Sequence, residues 1–130
     1  MKRPRILLVD DIPEIIQYCT DLLKKDCEVV GTASSGEAAI KAIAVTAPDV
    51  IVLDISMPGL TGIEVAKRLR RTGCPTPIVF LSADDLLAGA ALNAGGSAYV
   101  SKALIDSDLR LAISEVLAGR RFVSRQSDNR

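Results

Sequence analysis

The chain has 130 residues, the size of one ordinary domain; 48% are hydrophobic and only 3% aromatic, so a packed core is affordable only in aliphatic side chains. Lys+Arg and Asp+Glu balance at 16 each, which leaves no basic footprint for nucleic acid. Three loosely spaced cysteines and no histidine argue against a disulfide framework or a zinc site, and no apolar run approaches the ~20 residues that cross a bilayer.

The basic start, Met1 to Arg5, is followed by an apolar run that stops at Asp10, too short for a signal peptide, so a cytoplasmic location with free thiols is expected. Ile6 to Val9 reads as a strand buried on both faces. Asp11, Pro13 and Glu14 then supply a cap, an early proline and a first-turn acid. Ile12, Ile15, Ile16, Cys19, Leu22 and Leu23 recur at helical spacing behind them.

Cys27 to Thr32 is the second strand candidate, and Ser34 with Glu37 predicts a capping box for a second helix through Ile40, Ile43 and Ala44. Val50 to Leu53 is a third strand, ending in Asp54. Met57-Pro58-Gly59 marks a turn, and Thr61 with Glu64 predicts a second capping box ahead of Ile63, Ala66 and Leu69. Ile78 to Leu81 forms a fourth strand ending at Ser82. Asp84 is placed to cap a fourth helix through Leu87, Ala90 and Ala91, with Gly95 as its stop. Ala98 to Val100 is a fifth strand, followed by Lys102. A last helix starts near Asp106 and ends at Gly119, and the polar tail 120–130 reads as a linker stub or a frayed end.

Five strands alternating with five helices imply a doubly wound parallel sheet. Its polar residues fall at the carboxyl ends of the strands: Asp10 and Asp11 after the first, Asp54 after the third, Ser82 after the fourth and Lys102 after the fifth. In an open parallel sheet those ends share one edge, where ligands bind. Three converging carboxylates repel one another, and a hard divalent cation such as Mg²⁺ relieves that repulsion through oxygen ligands. A carboxylate nucleophile beside such a cation, with a lysine and a hydroxyl to meet further oxygens, suits phosphoryl transfer. Each residue also has an ordinary alternative: Asp10-Asp11 and Ser82 as helix caps, Asp54 as a turn residue, Lys102 as a solvated charge. Their joint placement at strand ends favours the site.

Those residues resemble the receiver domain of two-component response regulators. The matching segments are Leu8-Val9-Asp10-Asp11, the run from Val52-Leu53-Asp54 to Thr61-Gly62, Leu81-Ser82-Ala83, and Tyr99-Val100-Ser101-Lys102. The resemblance spans about Arg5 to Gly119. It implies a flavodoxin-like receiver fold over 1–119 and Mg²⁺-dependent phosphoryl transfer from the phosphohistidine of a sensor histidine kinase. It further implies Asp54 as the acceptor and Asp10, Asp11, Asp54 and the Ser56 backbone carbonyl as metal ligands. Ser82 and Lys102 would contact the phosphoryl group, and Tyr99 would be the switch aromatic.

The segment Gly119-Arg120-Arg121-Phe122-Val123-Ser124 resembles the receiver end of NarL/FixJ-type (LuxR-type) transcription regulators, in which a DNA-binding domain follows. The expectation is therefore control of transcription through another domain, with a stand-alone receiver signalling by protein contacts as the alternative. A homodimer is expected through the fourth helix, fifth strand and fifth helix, or through the first and fifth helices, with no membrane and no nucleic acid bound by this domain. Ala103 departs from the proline that often follows the family's lysine. A haloacid-dehalogenase-type hydrolase is disfavoured because Ser56 stands where its second acid would be. A dinucleotide site is disfavoured because Asp10-Asp11-Ile12-Pro13 is not glycine-rich.

Overall fold

The computed structural model describes residues 3–125. The strands are β1 (Arg5–Val9), β2 (Glu28–Ala33), β3 (Val50–Asp54), β4 (Ile78–Ser82), β5 (Ala98–Ser101) and β6 (Phe122–Val123). The helices are α1 (Pro13–Leu23), α2 (Gly36–Thr46), α3 (Gly62–Arg71), α4 (Ala88–Asn93) and α5 (Ile105–Leu117). The sheet is parallel throughout, in the order β2-β1-β3-β4-β5-β6. The order reverses between β1 and β3, so Asp10 and Asp54 emerge side by side at the switch point of a doubly wound sheet.

Alternation along the central strands divides the core in two. Leu7, Val9, Ile51, Leu53, Phe80 and Tyr99 point to the face covered by α2, α3 and α4. Ile6, Leu8, Val50, Val52, Val79 and Val100 point to the face covered by α1 and α5. Every residue of β3 and β4 is buried, which is why those strands read as continuous apolar runs. Among the described residues no helix is long and apolar enough to cross a membrane.

Several local expectations need correcting. The five expected strands all form, and a short sixth joins them from the tail: Phe122 pairs with Ala98 and Val123 with Tyr99, so part of the expected polar tail belongs to the fold. The rest of that tail, 126–130, lies outside the described residues, as do the first two residues of the basic start. Asp11 does not cap α1; the N-cap is Ile12, and Asp10 Oδ1 accepts the Ile12 N–H at 2.9 Å. Ser35 rather than Ser34 caps α2, accepting from the Ala38 N–H at 3.1 Å without a capping box. That frame puts Gly36 in the first turn, where a Cβ would lie 2.7 Å from the Leu60 carbonyl, a contact only glycine permits.

The Thr61/Glu64 capping box forms as expected. Asp84 caps a 3-10 turn, Asp85–Leu87, and only six residues of α-helix follow it. Apart from Asn93 that helix is built from alanine, glycine and leucine, and Gly95 closes it at φ +114.

Candidate functional site

Asp54 is the last residue of β3 and lies deep in the sheet edge, 2% exposed, beside Asp10 at 2%. One carboxylate oxygen from each of Asp10, Asp11 and Asp54 lies within 4.8 Å of the others. Lys102 enters from the end of β5: its Nζ is 2.9 Å from Asp10 Oδ2 and 3.3 Å from Asp54 Oδ1. The structure thus brings together the three acids and the lysine singled out in the sequence.

Electrostatics follow from that crowding. Burial, then the neighbouring Asp10 charge, pushes the Asp54 carboxyl up to about 6; Lys102 and the Ser56 N–H pull the other way. For Lys102, burial by itself would favour the neutral amine, but the two carboxylates outweigh it and the ammonium titrates above its ordinary range. Burial, helped by the Asp10 charge, raises the Cys19 thiol to about 11, which keeps it an inert core group.

The donor set suits a hard cation. All three groups are carboxylates, and Asp54 Oδ2 and Asp10 Oδ2 are buried without an aligned hydrogen bond, although Lys102 lies against the latter. Buried carboxylate oxygens left unsatisfied are costly, and a divalent ion with oxygen ligands removes that cost.

Around this centre the remaining residues take distinct places. The Ser56 N–H reaches Asp54 Oδ1 at 3.3 Å, and its side chain is exposed. Ser82 ends β4, one residue beyond Leu81, the register partner of Asp54. Its hydroxyl accepts from the Asp84 N–H at 2.9 Å and donates to the Asp84 carbonyl at 3.2 Å, so it is engaged with the loop after β4. Tyr99 is fully buried in β5, and its hydroxyl donates to Asp85 Oδ1 at 2.7 Å and lies 3.4 Å from the Ser82 carbonyl. Burial first, then the Asp85 hydrogen bond, raises that phenol.

Two partners escaped sequence reasoning. Asp85 is the polar anchor of Tyr99, and its only sequence signal is the Asp84-Asp85 pair following Ser82. Ser124 is a buried polar group in the segment read as a tail; the alternation of Phe122 and Val123 was too short to announce a strand.

Comparison with known proteins gives one consistent answer. Residues 6–114 match the response regulator receiver domain family. The chain is 32% identical over 123 residues to the response regulator UvrY of Escherichia coli strain K12, covering 92% of this chain and 56% of that protein. It is 41% identical over 104 residues to a protein-glutamate methylesterase/protein-glutamine glutaminase of Nocardioides sp., covering 75% of this chain and 28% of that one. Among solved structures, a LuxR-family two-component response regulator from Aurantimonas sp. superposes with TM-score 0.89 at 32% identity, covering 95% of this chain and 91% of that one. The chain therefore spans only 28% and 56% of those two curated relatives.

Proposed function

The chain belongs to the receiver domains of response regulators, phosphoryl-accepting switches, and on that premise we propose that Asp54 takes the phosphoryl group. The observation that carries this reading is the buried Asp54 carboxylate with Oδ1 on Lys102 and Oδ2 unsatisfied, at the switch point of the sheet. The donor is the phosphohistidine of a sensor kinase; this chain has no histidine to supply one.

Asp10, Asp11, Asp54 and the Ser56 backbone carbonyl would hold Mg²⁺, which when bound supplies charge neutralisation for the phosphoryl oxygens. An Asp54 carboxylate oxygen forms the new bond to phosphorus as the donor's N–P bond breaks, and the electron pair of that bond leaves with the imidazole nitrogen. Lys102, already between Asp10 and Asp54, is placed to neutralise a phosphoryl oxygen. Ser82 would turn its hydroxyl from Asp84 towards the new group. Hydrolysis of the acyl phosphate restores the carboxylate, so the domain promotes both its own loading and its own resetting.

The domain runs through β6 rather than ending at residue 119. Regulation of transcription is the output we favour, because similar proteins include the transcriptional regulatory protein DesR of Bacillus subtilis, 37% identical over 100 residues. A stand-alone receiver acting through protein contacts is the second reading. A second copy is the expected partner, through α4-β5-α5 or through α1 and α5, where Tyr18, Leu111 and Leu117 leave apolar surface exposed.

Intact-mass measurement after incubation with a small acyl phosphate and Mg²⁺ tests the acceptor. One phosphoryl group should appear on the wild type and be absent from Asp54→Asn and from the chelator-treated protein. Undiminished labelling of Asp54→Asn would falsify the assignment.

A further inference from the structure

Ser124 is 1% exposed and ties three elements together. Its N–H donates to the Tyr99 carbonyl at 2.8 Å. Its hydroxyl accepts from the Ser101 N–H at 3.1 Å and donates to Asp108 Oδ2, on α5, at 2.6 Å. In a parallel ladder the next rung after Ser124 N–H to Tyr99 would join the Ser101 N–H to Ser124's own carbonyl. Here the side-chain oxygen stands in that place. The pairing of β5 with β6 thus runs one rung further than the strand itself and satisfies a buried donor at the last residue of β5.

That donor belongs to the residue immediately before Lys102. On its other side Ser101 pairs with Ser82 at the end of β4. Past Ser101 the chain leaves the sheet in a 3-10 turn, Lys102–Leu104, with no side-chain cap at Ser101. The Ser124 hydroxyl, itself oriented by Asp108, is therefore the outer support of the corner from which Lys102 reaches Asp10 and Asp54. The place of the Lys102 backbone sets how often its flexible stem brings the ammonium onto both carboxylates at once.

We propose that Ser124 is a positioning residue for the phosphoryl-acceptor site, holding the end of β5 so that Lys102 is directed between Asp10 and Asp54. Its part in phosphorylation rests on the acceptor reading above; its part in placing Lys102 does not. The same contacts couple β6 to the corner that carries Lys102 through the Ser101–Ser124 bond.

The test uses the full chain with two readouts. The first is the rate of phosphoryl uptake from a small acyl phosphate, followed by intact mass. Ser124→Ala removes both bonds of the hydroxyl, and loss of the one that holds the Ser101 N–H should slow uptake about five-fold, with Ser124→Thr restoring the rate. In a Lys102→Ala background, Ser124→Ala should cause no further slowing. The second readout needs no phosphodonor: acylation of Lys102 by an amine-reactive ester, located by peptide mass spectrometry. Ser124→Ala should raise Lys102 reactivity while leaving Lys24 and Lys67 unchanged.

Equal slowing in both backgrounds would mean Ser124 supports the fold generally, and unchanged Lys102 reactivity in a folded variant would overturn the proposal outright. Raised reactivity with an unchanged uptake rate would remove Ser124 from the reaction. If wild type takes up no phosphoryl group, the acceptor reading fails and takes the role in phosphorylation with it; the acylation result alone then decides the placing of Lys102. Should Ser124→Ala not fold, Asp108→Ala removes the acceptor that orients the hydroxyl, from a more accessible position, and should raise Lys102 reactivity and slow uptake in the same direction but to a smaller extent; unchanged Lys102 reactivity would again overturn the proposal.

Discussion

The site rests on two supports of different construction. Around Asp10 and Asp54 it stands on β1 and β3, interior strands with hydrogen-bonded neighbours on both sides and fully buried β3 side chains. The turn after Asp54 is closed by the Thr61/Glu64 capping box, and α3 begins hard against the strand. Around Ser82 and Tyr99 it stands on a loop, a 3-10 turn and a six-residue helix of weak internal stability. A few polar contacts hold this second support in place: Ser82 with Asp84 and Tyr99 with Asp85 at its start, and two N–H groups of the Arg70 guanidinium on the Gly95 carbonyl at its end. Leu86, 92% exposed, sits between them. Chemistry needs carboxylates that stay put, and signalling needs an element that opens at small cost, so the stiff half suits the first task and the lightly fastened half the second.

Breaking the stiff half should have the largest effect. A Cβ at Gly62 would lie 2.2 Å from the Asp54 carbonyl and 2.9 Å from the Ile55 Cα, both backbone atoms that cannot swing aside. Gly62→Ala is expected to destabilise the domain by about 3 kcal/mol or more. It should also lower Mg²⁺ affinity, because relief requires moving the strand end that carries Asp54. Denaturant unfolding and metal titration measure both. A variant as stable as wild type would show that this half yields as readily as the other.

The stiffness of that half also holds a charge where it is poorly solvated. Asp54 is raised from 3.8 to about 6, chiefly by burial. Between those values the folded protein keeps a proton that the unfolded chain has lost, so stability falls as pH rises through the window, and the penalty is complete above pH 6. In chelator, Asp54→Asn should therefore be more stable than wild type at pH 7, by about 1–3 kcal/mol, with the gain gone below pH 4. Mg²⁺ should narrow the gap by stabilising the wild-type carboxylate. A destabilised Asp54→Asn at pH 7 would mean that the Lys102 pair outweighs burial.

The same contrast explains what the sequence made legible. The stiff half follows from strong local patterns that agree with one another: an unbroken apolar run in β3, a proline-glycine turn and a capping box at fixed spacing, with the terminal acid decided by its place among them. The convergence of Asp10, Asp54 and Lys102 follows from strand ends sharing an edge, and needed no knowledge of side-chain contacts. The α2 cap slipped by one residue because Ser34 and Ser35 are equivalent as caps until the Gly36–Leu60 contact chooses between them. In the second half the alanine-rich stretch fits a longer helix equally well, and nothing in it shows that Tyr99 will claim Asp85. β6 was missed for a similar reason: two residues carry no period, and their pairing is fixed by Ser124 reaching back 23 positions to Ser101.

The smallest expected effect probes the lighter support directly. Tyr99 is wholly buried, so Tyr99→Ala would mix a large cavity with any loss of signalling, whereas Tyr99→Phe removes only the hydroxyl. Asp85 is half-buried and water can replace the lost donor, so the stability cost should be about 1 kcal/mol. Without the hydroxyl, the turn Asp85–Leu87 loses its tie to β5 while the ring keeps its place in the core. Amide exchange should then quicken from Asp85 through α4 and stay unchanged in β1 and β3. Phosphoryl uptake, read by mass, should remain, because Asp54, Lys102 and the acidic cluster are untouched. The phosphate-dependent change in self-association, read by sedimentation, should shrink, because the α4 surface is already partly released before the phosphoryl group arrives and less of it remains to be switched. An unaltered phosphate response beside quickened exchange would place the signalling surface elsewhere, on the α1-α5 face. Unaltered exchange would show that apolar packing of Ala88 and Ala91, both buried, holds α4 without help from the Tyr99–Asp85 bond.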